Sequence, residues 1–307
     1  MIMVLSFLEK LPVPAGCIGL GFAGLATLFA RIHPIFMIIF LVLSLLIQAL
    51  VLLKLLMIKG ILSPHTDDIS LSTLSGTSMA MMLSAAPLHT VFHWSCAVCL
   101  WVAGLALHCL IVMLFSIKLF GKRTEKHCVR GSWLLVYVGL AAAAISAPAF
   151  SLENAGRILL IPSGLAAVLL LPLVYRDDRL LPGSQKPLFC ITAAPASIWL
   201  AGFLGSVRCP AENLIIILLI FSQLLYIPAL IRFIRCCRSP FSPAFAAFTF
   251  PFVISAAALG QSAEKLALSE RIMPLFWFEM VVALVLCCFT AWKYACFFCS
   301  GQKRAGS

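Results

Sequence analysis

Acid is what this sequence lacks. Only 11 of its 307 residues are Asp or Glu, and among them only Glu279 falls within a long apolar run, near its end. Carriers driven by protons or sodium need carboxylates inside the membrane as relays or ion ligands, and cation channels need acidic rings; a path for a neutral or anionic solute fits this composition better. Catalytic signatures are equally scarce. No nucleophile stands beside a base, and there is no phosphate-binding loop or pair of carboxylates, so an enzyme is not expected. No cleavable signal is expected either, because Met1 to Pro12 carries Glu9 and Lys10 and leads straight into the first apolar run.

Cysteine is present but does not organise a framework. Of the 13 cysteines, Cys17, Cys109, Cys190, Cys287 and Cys288 lie inside apolar runs, where the thiol acts as a small hydrophobe. The C-x-x-C pairs Cys96/Cys99 and Cys296/Cys299 have no second pair to complete a zinc site. His89 and His93 share a helix face, and His108 stands alone in a span; local hydrogen bonding and packing are the expected roles of all three. No metal or cofactor is expected.

Apolar residues dominate what is there. They make up 63% of the chain, with a mean hydropathy of +1.09 and 11% charge, far beyond a soluble domain. Ten runs of about 20 residues can each cross a hydrocarbon core of roughly 30 Å as a helix: 12–32, 34–57, 76–95, 97–119, 131–150, 156–175, 187–207, 213–234, 243–262 and 273–297. The expectation is an all-α membrane protein, a single integral domain over 1–307. Basic residues set its orientation, because cytoplasmic loops collect Lys and Arg. Placing both termini on one side leaves only Arg31, Arg157, Arg208, Lys265 and Arg271 on the other, out of 22 Lys and Arg. The formal charge of +11 therefore reports topology and gives no reason to expect nucleic acid. Short turns on one side and longer polar loops on the other, such as GKRTEKHCVRG at 121–131, describe five helical hairpins.

The odd-numbered runs are rich in Gly, Ala and Ser, as in GCIGLGFAGLA (16–26) and VISAAALGQSA (253–263), whereas the even ones are Leu, Ile, Val and Phe. Small residues let helix backbones approach closely, so the odd runs are expected inside and the even runs against lipid. Candidate pore-lining residues are Gly16, Gly19, Ala80, Ala142, Ala194 and Ser255. Pro14, Pro87, Pro195 and Pro251 in the odd runs each remove a helical hydrogen bond, which lipid tolerates only beside a cavity or a neighbour. Broken helices around a polar path follow. The segment FTFPF at 248–252 repeats the theme: at about 100° per residue, Phe248 and Phe252 share a face, and Phe250 points away from both. Phe250 is the candidate gate, since an apolar constriction stops ions by dewetting.

The segments LPVPAGCIGLGFAGLATL (11–28), AAPASIWLAGFLGS (193–206) and FAAFTFPFVISAAA (245–258) resemble the first, seventh and ninth helices of the tellurite-resistance/dicarboxylate transporter family, which includes the plant slow anion channels. The resemblance covers almost the whole chain. It implies a quasi-five-fold ring of helical hairpins, a homotrimer with one pore per protomer, odd helices lining each pore, and a phenylalanine of the ninth helix blocking it, here Phe250. Two departures stand out. The proline expected in the middle of the fifth helix is replaced near Val136 and Tyr137, and Pro251 stands where a bacterial relative has glycine. The expected function is a passive anion channel or facilitator in a bacterial inner membrane, with small inorganic or organic anions and lipid as its partners. The alternatives are a coupled C4-dicarboxylate, sulfite or tellurite-linked exporter and, from another class, a haem- or quinol-binding membrane anchor.

Overall fold

The protein is described by a computed structural model covering residues 2–30, 32–63, 65–121 and 128–305. Arg31, Lys122, Arg123 and Lys126, which enter the charge asymmetry, lie outside the described residues. The helices are α1 (Ile2–Lys10), α2 (Ala15–Phe29), α3 (Pro34–Met57), α4 (Asp68–Thr73), α5 (Ser75–Thr90), α6 (Ala97–Gly121), α7 (Ser132–Tyr137), α8 (Ala141–Ser146), α9 (Glu153–Asp177), α10 (Ala194–Ser206), α11 (Glu212–Cys236), α12 (Phe250–Lys265) and α13 (Ser269–Ala305). The 3₁₀ segments Ala147–Phe150, Asp178–Leu180, Gly183–Ala193 and Pro243–Phe248 adjoin α8, α9, α10 and α12. No strand occurs among the described residues.

Seven described segments are long and apolar enough to span a membrane, with Ala15–Phe29 and Ala141–Phe150 as shorter apolar helices. They fall into two kinds. In α3, α6, α9, α11 and α13 only 17 to 33% of the most apolar stretch is buried, whereas in Gly183–Ser206 and Pro243–Lys265 the share is 83%. The exposed faces carry Ile39, Leu46, Ile161 and Leu165, side chains suited to hydrocarbon. Small residues fill the inner segments instead: Ala141, Ala142, Ala143 and Ala144 of α8 are all fully buried.

With no hydrophobic drive between helices in lipid, polar contacts join them. Ser44 Oγ of α3 donates to the Gly19 carbonyl at 2.6 Å, and Gln48 Nε2 donates to Ser44 Oγ and Ser84 Oγ at 2.8 and 2.9 Å, binding α3 to α2 and α5. Lys54 Nζ donates to the carbonyls of Leu8, Glu9 and Leu11 at 2.9, 3.2 and 2.7 Å. It thus satisfies the exposed C-terminal carbonyls of α1.

One end of the bundle is charged. Asp68 pairs with Lys118 at 2.7 Å and Arg130 at 3.2 Å, Arg130 Nε donates to Gln185 at 2.9 Å, and Asp178 pairs with Arg232 at 2.5 Å and Lys186 at 3.9 Å. These contacts gather the ends of α6, α9 and α11 with the starts of α4, α7 and the 3₁₀ segment at 183. Partial burial pushes the Asp68 carboxyl up, but the Lys118 and Arg130 partners outweigh it and hold it below the usual range. Arg176 Nε donates to Asp177 Oδ1 at 2.7 Å at the same end.

Candidate functional site

The inner segments are broken near mid-bundle, and the breaks meet at one ring. Two breaks coincide with prolines: the 3₁₀ run Gly183–Ala193 becomes α10 just before Pro195, and Pro243–Phe248 becomes α12 just before Pro251. Lacking an N–H, proline suits a helix's first turn. Thr249, at the second junction, has φ −98° and ψ −90°, and its Oγ1 donates to the Cys17 carbonyl at 2.9 Å, joining α12 to α2. Pro14 immediately precedes α2, whereas α5 continues through Pro87 and is divided from α4 at Leu74.

The fifth apolar run breaks with no proline. Between α7 and α8 the turn at Val138–Leu140 contains Gly139, where an added Cβ would stand 2.1 Å from the Leu135 carbonyl oxygen and 2.7 Å from His108 Cε1. Only glycine fits that approach. The break frees the Val136 carbonyl, which takes a hydrogen bond from His108 Nε2 at 3.0 Å, while His108 Nδ1 meets Ser78 Oγ at 2.8 Å. Both ring nitrogens are thereby engaged, and neither is left to ligate a haem iron. Among the described residues no group of three His, Cys, Asp or Glu could hold a metal. His108→Leu strands a buried carbonyl, costing about 1–3 kcal/mol; unfolding in detergent should show a lowered midpoint.

Phe250 is 1% exposed and forms part of the wall of three cavities. The largest, about 510 Å³, is lined by Gly24 and Thr27 of α2, Leu83 and Ala86 of α5, Ser146 of α8, Val253, Ile254, Gln261 and Glu264 of α12, and Phe276 and Trp277 of α13. These positions place it toward the end opposite the charged one. On the charged side lie two slots of about 10 Å³ each, room for about one water apiece. One is walled by Pro14, Cys17, Thr73 and Pro243, the other by Met79, Val138, Gly139, Ala194, Pro195 and Ile198. Residues of all five inner segments thus share a cavity wall with this ring. The N-termini of α10 and α12, where a helix is electropositive, begin beside it.

The neighbouring phenylalanines face elsewhere. Phe248 meets Phe233 of α11 edge-on at 5.1 Å, and Phe252 meets Tyr226 of the same helix at 5.4 Å. Of the candidate lining residues, Ala194 walls a slot. Gly16 abuts Thr77 and Gly19 abuts Ile47, as close-packing surfaces between helices; Ala80, Ala142 and Ser255 are fully buried, and none of these five borders the three cavities. Sequence reasoning missed Gly24, where an added Cβ would lie 2.8 Å from Val253 Cγ1 and 3.6 Å from Phe250 Cδ2. Its signal was present in the Gly-rich run at 16–26.

Exposed apolar helices around a buried, broken-helix interior with internal cavities define a multi-pass membrane protein. Residues 11–299 match the voltage-dependent anion channel family, SLAC1. The chain belongs to that family, the same one its first, seventh and ninth apolar runs resemble, and its members are anion channels and transporters. Comparison with curated individual proteins finds no match.

Proposed function

We propose that the chain is a passive anion channel or facilitator whose path runs between the inner segments and is occluded by Phe250. The observation that carries this reading is the position of the ring between a cavity of about 510 Å³ and two slots of about 10 Å³. An anion leaving the wide cavity meets an apolar ring with space for hardly more than one water beyond it, and a constriction of that kind dewets. Attraction comes from the positive ends of α10 and α12, a modest term that does not strip water strongly. Anions that dehydrate easily are therefore favoured.

The family resemblance supports five hairpins in a ring, a homotrimer and a bacterial inner membrane, and the Lys and Arg asymmetry supports cytoplasmic termini. The second reading, a coupled exporter of C4-dicarboxylates, sulfite or tellurite-linked anions, draws on the buried Glu279. Proteoliposome flux separates the two. The passive reading expects nitrate to exceed chloride and malate, with no uphill accumulation when only a proton gradient is imposed; uphill accumulation selects the exporter.

A further inference from the structure

The sequence places Glu279 near the end of its span, but the structure buries it completely, ten residues after the start of α13. Gln223 of α11 and Ser255 of α12 face its carboxyl, and Tyr226 of α11 lies within its electrostatic reach. Close as they are, none is aligned to bond. Glu279 Oε1 and Oε2, Ser255 Oγ, Gln223 Nε2 and Tyr226 OH are all buried without a hydrogen-bond partner. Gln223 and Ser255 stand close enough to influence the carboxyl, yet five buried polar atoms without an aligned partner leave it poorly satisfied as an anion.

No cation pairs with the carboxyl among the described residues. Of the elements packed on α13, α2 offers only the Cys17 thiol as a titratable group, the 3₁₀ segment Pro243–Phe248 offers none, and α12 has Glu264 and Lys265 at its far end. Tyr226 is the titratable group of α11 that faces the site; Glu212, Arg232 and Arg235 lie toward that helix's ends. None of the three cavities around Phe250 borders Glu279, Gln223 or Tyr226. A metal ion with its shell needs space. A proton needs none, and it removes the charge that an apolar surrounding penalises.

The cluster also sits where it can matter. Ile254, next to Ser255, and Phe276 and Trp277, one turn or less before Glu279, line the wide cavity, so the carboxyl lies just behind its wall. Ser255 is on the helix that begins with Phe250, five residues on.

We propose that Glu279 is a proton-binding site through which acidity on the wide-cavity side controls anion flux. Resting on the reading of Phe250 as the occluding ring, it adds the regulator. With its proton, Glu279 is neutral and α11, α12 and α13 pack as described, holding Phe250 in place. When the proton leaves for water in the wide cavity, a carboxylate remains buried beside the neutral groups of Gln223, Ser255 and Tyr226, with no cation to balance it. That charge draws in water or displaces α12, and the ring's seat loosens.

The test is anion flux in proteoliposomes of known orientation at a series of pH values on the wide-cavity side, for wild type, Glu279→Gln and Ser255→Ala. Wild-type flux should rise several-fold with pH along a single-proton curve, Glu279→Gln should stay at the low, acidic level throughout, and Ser255→Ala should keep the rise with a displaced midpoint. A flat wild-type profile, an unchanged profile in Glu279→Gln, or a response to sodium at fixed pH in place of pH would each overturn the proposal. Infrared difference spectra between acidic and alkaline buffer supply a readout independent of flux. A protonated-carboxyl band present in wild type and absent from Glu279→Gln is expected even if no anion moves, a result that would sink the pore reading and keep the proton site. Identical spectra would remove the site itself.

Discussion

Phe250→Ala should raise anion conductance about tenfold or more, the outcome expected when an apolar constriction that dewets a path is removed. The ring is the element common to the walls of the wide cavity and both slots, so truncating it joins three spaces that are otherwise separate. Its stability cost should be small for so large a deletion, because the site already borders empty volume. Phe248→Ala is the control. That ring is fully buried and packs on Phe233 and Phe245 at 5.1 and 5.0 Å, and it borders none of the three cavities. Its loss should cost about 3–5 kcal/mol and leave conductance per folded protein unchanged. Electrical recording together with a detergent unfolding curve for both variants reads the two effects separately.

Gly139→Ala should be strongly damaging for a single added methyl. The added Cβ would stand 2.1 Å from the Leu135 carbonyl oxygen, 2.7 Å from His108 Cε1 and 2.8 Å from Met79 Sδ. A side chain can yield, but the Leu135 carbonyl is backbone, so the turn between α7 and α8 must move. Overpacking of this kind costs roughly 1–3 kcal/mol and sometimes more, and here the movement also disturbs the His108 bond to Val136. A lowered unfolding midpoint is expected. Combined with His108→Leu, the loss should be less than the sum of the two, because both changes act on the same turn. Strict additivity would mean that His108 does not hold the break.

Much of the architecture was legible because lipid imposes simple rules. The contrast between bulky runs such as 34–57 and small-residue runs such as 253–263 anticipated which helices face outward, and the burial of α3 and α12 follows that division. Pro195 and Pro251 pointed to breaks, which fall just before each of them. Pro87 did not mark one, since a proline in the last turn of α5 leaves most of that helix's hydrogen bonds intact. The break at Gly139 was hidden, because hydropathy does not distinguish an α-helix from a turn when both are apolar and a glycine has many uses in a membrane helix. Gly16 and Gly19 show the same ambiguity: small residues can line a path or let helices touch, and here they touch Thr77 and Ile47.

The direction of the Phe250 ring was legible, although no regular helix sets it: Phe248 ends a 3₁₀ segment and Phe250 opens α12, with the break at Thr249 between them. Glu279 was not, because its neighbours Gln223, Tyr226 and Ser255 come from two other helices, and no local pattern brings them together.

The most direct measurement is single-channel conductance in planar bilayers for wild type, Phe250→Leu, Phe250→Val and Phe250→Ala at fixed pH. Conductance should climb stepwise as the side chain shrinks, with reversal potentials reporting anions as the current carriers throughout. Four equal conductances, or currents carried by cations, would contradict an anion path closed by this ring.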